Sequence, residues 1–214
     1  EPEVVFSLRD DVRWHDGAPF TSRDAAFTYA AIMDDATASP RKPDFDLILR
    51  VETPDERTFR VIYRKPYSPA LESWMIPLLP AHLLEGKPQD WWVKHFNRTP
   101  IGTGAFKFAE WRTNEFLRVE RNPDYFDAPG PWLDGIVYRF MPDQLTLRLA
   151  FETHQVDFWG AEPWTVTAFV GDPRFDVFTS PTSSYSYIGW NLKRPLFQDP
   201  LVRRALAHAV DVPS

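Results

Sequence analysis

The sequence predicts a mixed α/β (α+β) protein, and three observations predict it. Strand-like alternation comes in hairpin pairs up to Arg121. Short amphipathic stretches with capping residues lie between the hairpins. From Gly135 onward, strand, helix and strand patterns follow one another. The 21 prolines punctuate the whole chain, so elements are expected to be short and loops many.

Val4–Leu8 reads as the first strand. Asp16-Gly17 is a turn signal, because Gly accepts positive φ and Asp hydrogen-bonds its own backbone. Pro19 disfavours helix at Ala18. Thr21 then stands three residues before Asp24, a variant of the capping box. Asp24 adds negative charge where the helix dipole is positive. Ala25, Ala26, Tyr29, Ala30 and Met33 form one apolar helix face. Ala36–Pro43 is a polar, proline-bounded loop. Leu47–Thr53 and Thr58–Arg64 pair as a hairpin around Pro54–Arg57, with Phe59, Val61 and Tyr63 alternating against Arg60, Ile62 and Arg64. Ser68 caps a short helix with Pro69 at its first position, and Pro80–Gly86 gives one or two further helical turns.

Gly102-Thr103-Gly104 opens a second hairpin, Ala105–Trp111 with Phe116–Arg121, in which Asn114 takes the positive φ of the turn. Gly135–Met141 is a strand. Asp143 caps a helix whose apolar positions are Leu145, Leu149 and Ala150. Val156–Trp159 is a short strand, Glu162-Pro163-Trp164 starts a helix, Phe175–Ser180 and Tyr185–Asn191 are strands, and Pro200–Val210 is a helix with Asp199 as its cap and Pro200 at its first position. No solenoid-period repeat and no low-complexity segment is present.

Composition narrows the function. Hydrophobic residues at 43% and charged residues at 25% are those of an ordinary soluble protein. A net charge of −6 without a basic tract argues against nucleic acid. The absence of cysteine excludes disulfides, thiol catalysis and zinc–thiolate sites. No run approaches the ~18 apolar residues of a membrane helix, and no signal peptide is seen. The chain opens on a strand and stops after a helix, so it is expected to be a piece of a longer precursor. The nine tryptophans suit lobe packing and an aromatic-lined cleft.

No catalytic constellation emerges. The five histidines are scattered and none has the i, i+4 spacing of a zinc helix. His15-Asp16 reads as a structural turn. Gly102-Thr103-Gly104 enters a strand rather than a helix, so it is no phosphate cradle. No Gly-x-Ser-x-Gly elbow occurs. Catalytic residues, metal ligands and cofactors are therefore all expected to be none. Ligands of open α/β sheets gather at the carboxyl ends of strands. That places Trp159 and Trp164 to stack on a ligand and Glu162 to receive a cation, such as a peptide amine. A carboxylate-pair hydrolase using Asp157 and Glu162 is the alternative of a different class.

Three ordered signatures carry a resemblance. The first runs Phe6-Ser7-Leu8-Arg9, Val12–Thr21 (Val-Arg-Trp-His-Asp-Gly-Ala-Pro-Phe-Thr), Asp24 and Phe27-Thr28-Tyr29. The second is Pro100–Phe108 with Trp111, then Arg121-Asn122-Pro123-Asp124-Tyr125-Phe126. The third is Gly189-Trp190-Asn191, Arg194–Pro200 and Val202–Leu206. The chain resembles the extracellular solute-binding proteins of family 5, receptors of peptide ABC importers and their relatives. The resemblance implies a periplasmic binding protein type II-like fold. This chain would be most of its first lobe, with a small hairpin-rich subdomain at 1–117, a ligand-facing α/β subdomain at 118–184, and a crossing toward the second lobe at 185–214. It adds Tyr185 and Tyr187 on a strand passing the ligand, Arg41 on a loop reaching the cleft, and Asn191 as a hinge residue.

The implied function is capture of a short peptide between two closing lobes and delivery to a membrane permease. The implied protein is a monomer, periplasmic or anchored outside the cell as a lipoprotein, with no nucleic-acid partner. A carbohydrate receptor of the same architecture is the alternative within the family. The group pairing with a peptide's amino terminus would come from the second lobe, so the 214-residue chain alone is expected to bind weakly.

Overall fold

The structure is a computed structural model and describes residues 1–127, 129–180 and 187–210. Two units are formed, Glu1–Thr153 and His154–Ser214, and each is described by itself.

The first unit begins with a three-stranded antiparallel sheet. Strand β1 (Glu3–Ser7) and β2 (Ile48–Asp55) flank β3 (Thr58–Tyr63), in the order β1-β3-β2. The expected alternation decides which face is covered: Phe59, Val61 and Tyr63 are fully buried on one side. Arg60, on the other side, lies between Glu52 at 3.4 Å and Glu3 at 3.8 Å. Arg50 in turn bridges Glu1 and Glu52, both at 2.9 Å. These charges alternate in sign across the solvent face, and each exposed pair contributes little on its own. Ile62 breaks the pattern, being buried on the charged side of the strand.

Helix α1 (Ser22–Met33) packs on this sheet. Its start is built around Asp24, which is buried. One carboxylate oxygen accepts from the Thr21 N–H at 2.9 Å and from Trp14 Nε1 at 3.3 Å. The other accepts from the Ala81 N–H at 2.8 Å. The capping residue of the sequence is thus also a tie to helix α3 (Ala81–Leu84). One turn further on, Thr28 Oγ1 donates to the Asp24 carbonyl at 2.7 Å and accepts from the Leu79 N–H at 2.8 Å. The Asp16-Gly17 turn forms as expected, with Gly17 at φ +90° and Trp14 N–H donating to the Ala18 carbonyl at 2.8 Å.

The core of this half is aromatic. Trp74, which ends helix α2 (Ala70–Ser73), meets Phe59 at 4.8 Å and Phe45 at 5.1 Å edge-on. Phe6 at 6.0 Å and Tyr29 at 6.3 Å complete the set, and Trp74 Nε1 donates to the Tyr63 hydroxyl at 3.3 Å. Helix α4 (Gln89–Trp91) runs on into one π-helical turn, Trp92–Phe96, which the sequence analysis missed. Its local pattern is too short to register, and tertiary packing holds it. Trp92 lies 5.6 Å from Phe27 and donates to the Leu84 carbonyl at 3.2 Å.

A second antiparallel sheet follows, made of β4 (Phe106–Arg112), β5 (Phe116–Arg121) and β6 (Gly135–Arg139), in that order. Asn114 takes the turn at φ +63°, as expected. Gly135 is required by close approach: a Cβ there would stand 2.6 Å from the Val119 carbonyl oxygen. Arg121 holds the loop before β6, donating to the Leu133 carbonyl at 3.1 Å, the Trp132 carbonyl at 2.9 Å and Asp134 Oδ1 at 2.6 Å. Helix α5 (Gln144–Glu152) is capped by Asp143, which accepts from the Thr146 N–H at 2.7 Å.

The second unit contains α6 (Pro163–Val166), α7 (Pro195–Gln198) and α8 (Pro200–His208), the last capped by Asp199 as its sequence indicates. The strands expected at Val156–Trp159 and Phe175–Ser180, and over the described part of Tyr185–Asn191, are not formed. The reason is physical. Alternation sets a local preference for extended chain, but a strand needs a partner edge to pair its N–H and C=O groups. Among the described residues of this unit no strand supplies one. The expected division at 117/118 falls inside β5, and the region 118–184 is divided at 153/154.

Candidate functional site

The sequence candidates concentrate in the second unit. Trp159 is half-buried and packs edge-on against Phe169 at 6.0 Å, with the ring planes at 90°. Phe169 is buried and meets Phe175 at 5.1 Å, on which His154 stacks at 5.8 Å. Trp159 therefore belongs in part to a small aromatic core. That core steadies the segment leading into α6.

Glu162 is the N-cap residue of α6, and its carbonyl accepts from Thr165 and Val166. Its carboxylate caps nothing and is exposed. Trp164, at the second position of α6, is 75% exposed. Phe158, on the other side of Trp159, is 83% exposed. Phe158 is not among the contacts the sequence predicts, because a four-residue strand pattern does not show which side chain is left uncovered. Tyr187 is 79% exposed and Ile188 beside it is exposed too. Tyr185 lies outside the described residues. Asn191 Oδ1 accepts from the Lys193 N–H at 3.0 Å, and its carbonyl accepts from Arg194, so this residue shapes the turn before α7. The second unit thus offers aromatic side chains and the Glu162 carboxylate on its surface. Arg41 stands in the first unit, exposed, with Asp44 Oδ2 at 3.4 Å.

A concavity of 460 Å³ in the first unit is lined by Pro19, Arg23, Asp24, Glu56 and His82 among others. Its size suits a small ligand, but three of its polar side chains are already engaged. Asp24 holds three donors, Arg23 pairs with Glu85, and His82 Nε2 meets Asp16 Oδ2 at 2.8 Å. Burial raises the Asp16 pKa, yet the His82 contact and the Ala18 N–H outweigh it and bring the carboxyl below its ordinary value. Among the described residues, no three His, Asp or Glu side chains are placed to hold a metal ion.

Residues 3–214 match the family described as bacterial extracellular solute-binding proteins, family 5 Middle. The chain belongs to this family. Among family-5 relatives, the oligopeptide-binding protein AppA of Bacillus subtilis is 32% identical over 210 residues, covering 95% of this chain and 38% of AppA. The structure of AppA in complex with a nonapeptide superposes with a TM-score of 0.86 at 29% identity, over 98% of this chain and 42% of that one. NikZ of Campylobacter jejuni, solved in complex with Ni(L-His), gives a TM-score of 0.87 at 27% identity, with the same coverage of 98% and 42%. This chain thus spans about two-fifths of the length of these relatives. Its mixed α/β fold is the one they share over that span.

Proposed function

We propose that the protein is the substrate-binding receptor of an ABC importer, taking up short peptides between two lobes and passing them to a membrane permease. Family membership carries this reading, with a peptide-binding relative at 32% identity. The second unit supports it with exposed aromatic side chains at Phe158, Trp164 and Tyr187 and an exposed carboxylate at Glu162. Aromatic rings supply sequence-tolerant apolar contact, and a carboxylate pairs with a peptide amine or a basic side chain. Tyr185 and Arg41 are further proposed ligand contacts, and Asn191 is the proposed hinge residue. The receptor acts as a monomer in the periplasm, or tethered outside the cell, and does no chemistry on its ligand.

Native mass spectrometry of the gene product, isolated from its own cells without refolding, tests the ligand class. A heterogeneous bound mass that fragments as short peptides supports the proposal. A single discrete mass, such as a sugar or a metal chelate, replaces the peptide with that solute. Turnover of oligosaccharides that is lost in Asp157→Asn or Glu162→Gln would overturn the receptor reading altogether.

A further inference from the structure

We propose that His15 is a proton-operated latch that ties the turn after β1 to the entrance of the second sheet, and that mild acid opens it. This goes beyond the receptor reading and does not depend on it.

Both ring nitrogens of His15 are committed to one strand entrance. Gly102 N–H donates to Nδ1 at 3.1 Å, and Nε2 meets the Gly104 carbonyl oxygen at 3.0 Å. The His15 backbone N–H adds a third bond, to the Gly102 carbonyl at 2.9 Å. Gly104 and the buried Asn122 extend the junction: Asn122 Nδ2 donates to the same Gly104 oxygen at 3.0 Å, and the Asn122 N–H donates to the Ala105 carbonyl at 2.8 Å. The segment after β1, the segment before β4 and the segment after β5 therefore meet at one imidazole.

The geometry admits only the neutral ring. A backbone N–H can only donate, so Nδ1 must be the acceptor; a carbonyl can only accept, so Nε2 carries the hydrogen. An imidazolium has N–H at both positions. Its Nδ1–H would then point at the Gly102 N–H, donor against donor, and the ring would have to leave. The surroundings agree. Burial is the largest influence and holds the His15 pKa below its ordinary value, against the Gly104 carbonyl, which raises it. The Lys107 ammonium on β4 lowers it further and the neighbouring Asp16 carboxylate raises it. Lys107 is itself 3.7 Å from Asp124, and Asp16 is engaged by His82.

The sign follows from linkage. The folded state binds the proton less readily than the unfolded chain, so the latch contributes its full stability above the ordinary histidine pKa of about 6.5. That contribution is lost as pH falls below this value toward the folded-state pKa.

The test uses the full 214-residue chain. Nitrogen-15 NMR reads the tautomer and titration of His15, and hydrogen exchange reads the Gly102 amide. The expected result is a neutral Nε2–H ring at pH 7 that titrates below 6.5. Gly102 protection, corrected for intrinsic rates, should fall by up to roughly tenfold per pH unit between about 6.5 and that lower pKa, and level off below it. In His15→Gln, whose amide can accept from Gly102 and donate to Gly104, protection stays flat with pH; in His82→Gln the fall remains. Titration at or above 6.5, or an unchanged Gly102 amide across His15 protonation, would overturn the latch. The wild-type readouts decide the matter even where His15→Gln fails to fold.

Discussion

Asp24→Ala puts the architecture of the first unit to a direct test. Asp24 is 3% exposed and holds three N–H donors, from Thr21, Trp14 and Ala81. Removing the carboxylate orphans all three. An unsatisfied buried donor costs about 1–3 kcal/mol, so the simple sum is roughly 3–9 kcal/mol. Asp24 lines the 460 Å³ concavity, and water entering there can serve some of the donors. We therefore expect a loss of about 3–5 kcal/mol. Asp24→Asn keeps the shape and one carbonyl oxygen but turns an amide N–H₂ toward a donor, for an expected loss of about 2–3 kcal/mol. Against a total stability of about 5–15 kcal/mol, the alanine variant is severely weakened. Urea unfolding followed by far-UV circular dichroism measures both, and Tm should fall by roughly 10 °C for the alanine variant. A loss below about 1 kcal/mol for Asp24→Ala, or none for Asp24→Asn, refutes the keystone role.

Four further predictions follow from the structure. Trp74→Ala removes four aromatic contacts and the bond to Tyr63, and should cost about 3–5 kcal/mol in the same unfolding assay. Gly135→Ala drives a methyl into the Val119 carbonyl and should cost about 1–3 kcal/mol, with altered exchange of the β5–β6 amides. Trp164→Ala should leave Tm within about 1 °C, because the ring is exposed, while weakening capture of the ligand found by native mass spectrometry by roughly tenfold in calorimetry. Glu162→Gln should weaken capture only of ligands bearing a cation, and equal loss for a neutral ligand would remove its charge-pairing role.

What the sequence disclosed was what short-range physics decides. The Asp16-Gly17 turn, the Thr21/Asp24 helix start, both hairpins, the positive φ at Asn114 and the caps at Asp143 and Asp199 are all local, and all form. What it did not disclose depends on partners distant in the chain. Nothing near Asp24 announces that Ala81 will donate to it, and nothing in Trp92–Phe96 announces a π turn held by Phe27 and Leu84. The unformed strands after Val156 fail for the same reason, since pairing is non-local. Among the candidate contacts, the exposure of Trp164 and Tyr187 and the half-burial of Trp159 come from tertiary packing that one-dimensional spacing does not contain.

The residues that made the family recognisable have a different task from those that would touch a ligand. Trp14, His15, Asp16, Asp24, Gly102, Gly104 and Asn122 sit at junctions, where donors and acceptors of separate segments must match atom for atom. At the buried Trp14, Asp24 and Asn122, replacement leaves a buried group unpaired, so these positions tolerate little change. Phe158, Glu162, Trp164 and Tyr187 are largely exposed, and their side chains hold no junction of this kind among the bonds described above. A fold held by the first set can present different chemistry through the second. Structures superposing on this chain at TM-scores of 0.86 and 0.87 hold a nonapeptide in one case and Ni(L-His) in the other. The junction motifs therefore identify the scaffold without naming its ligand.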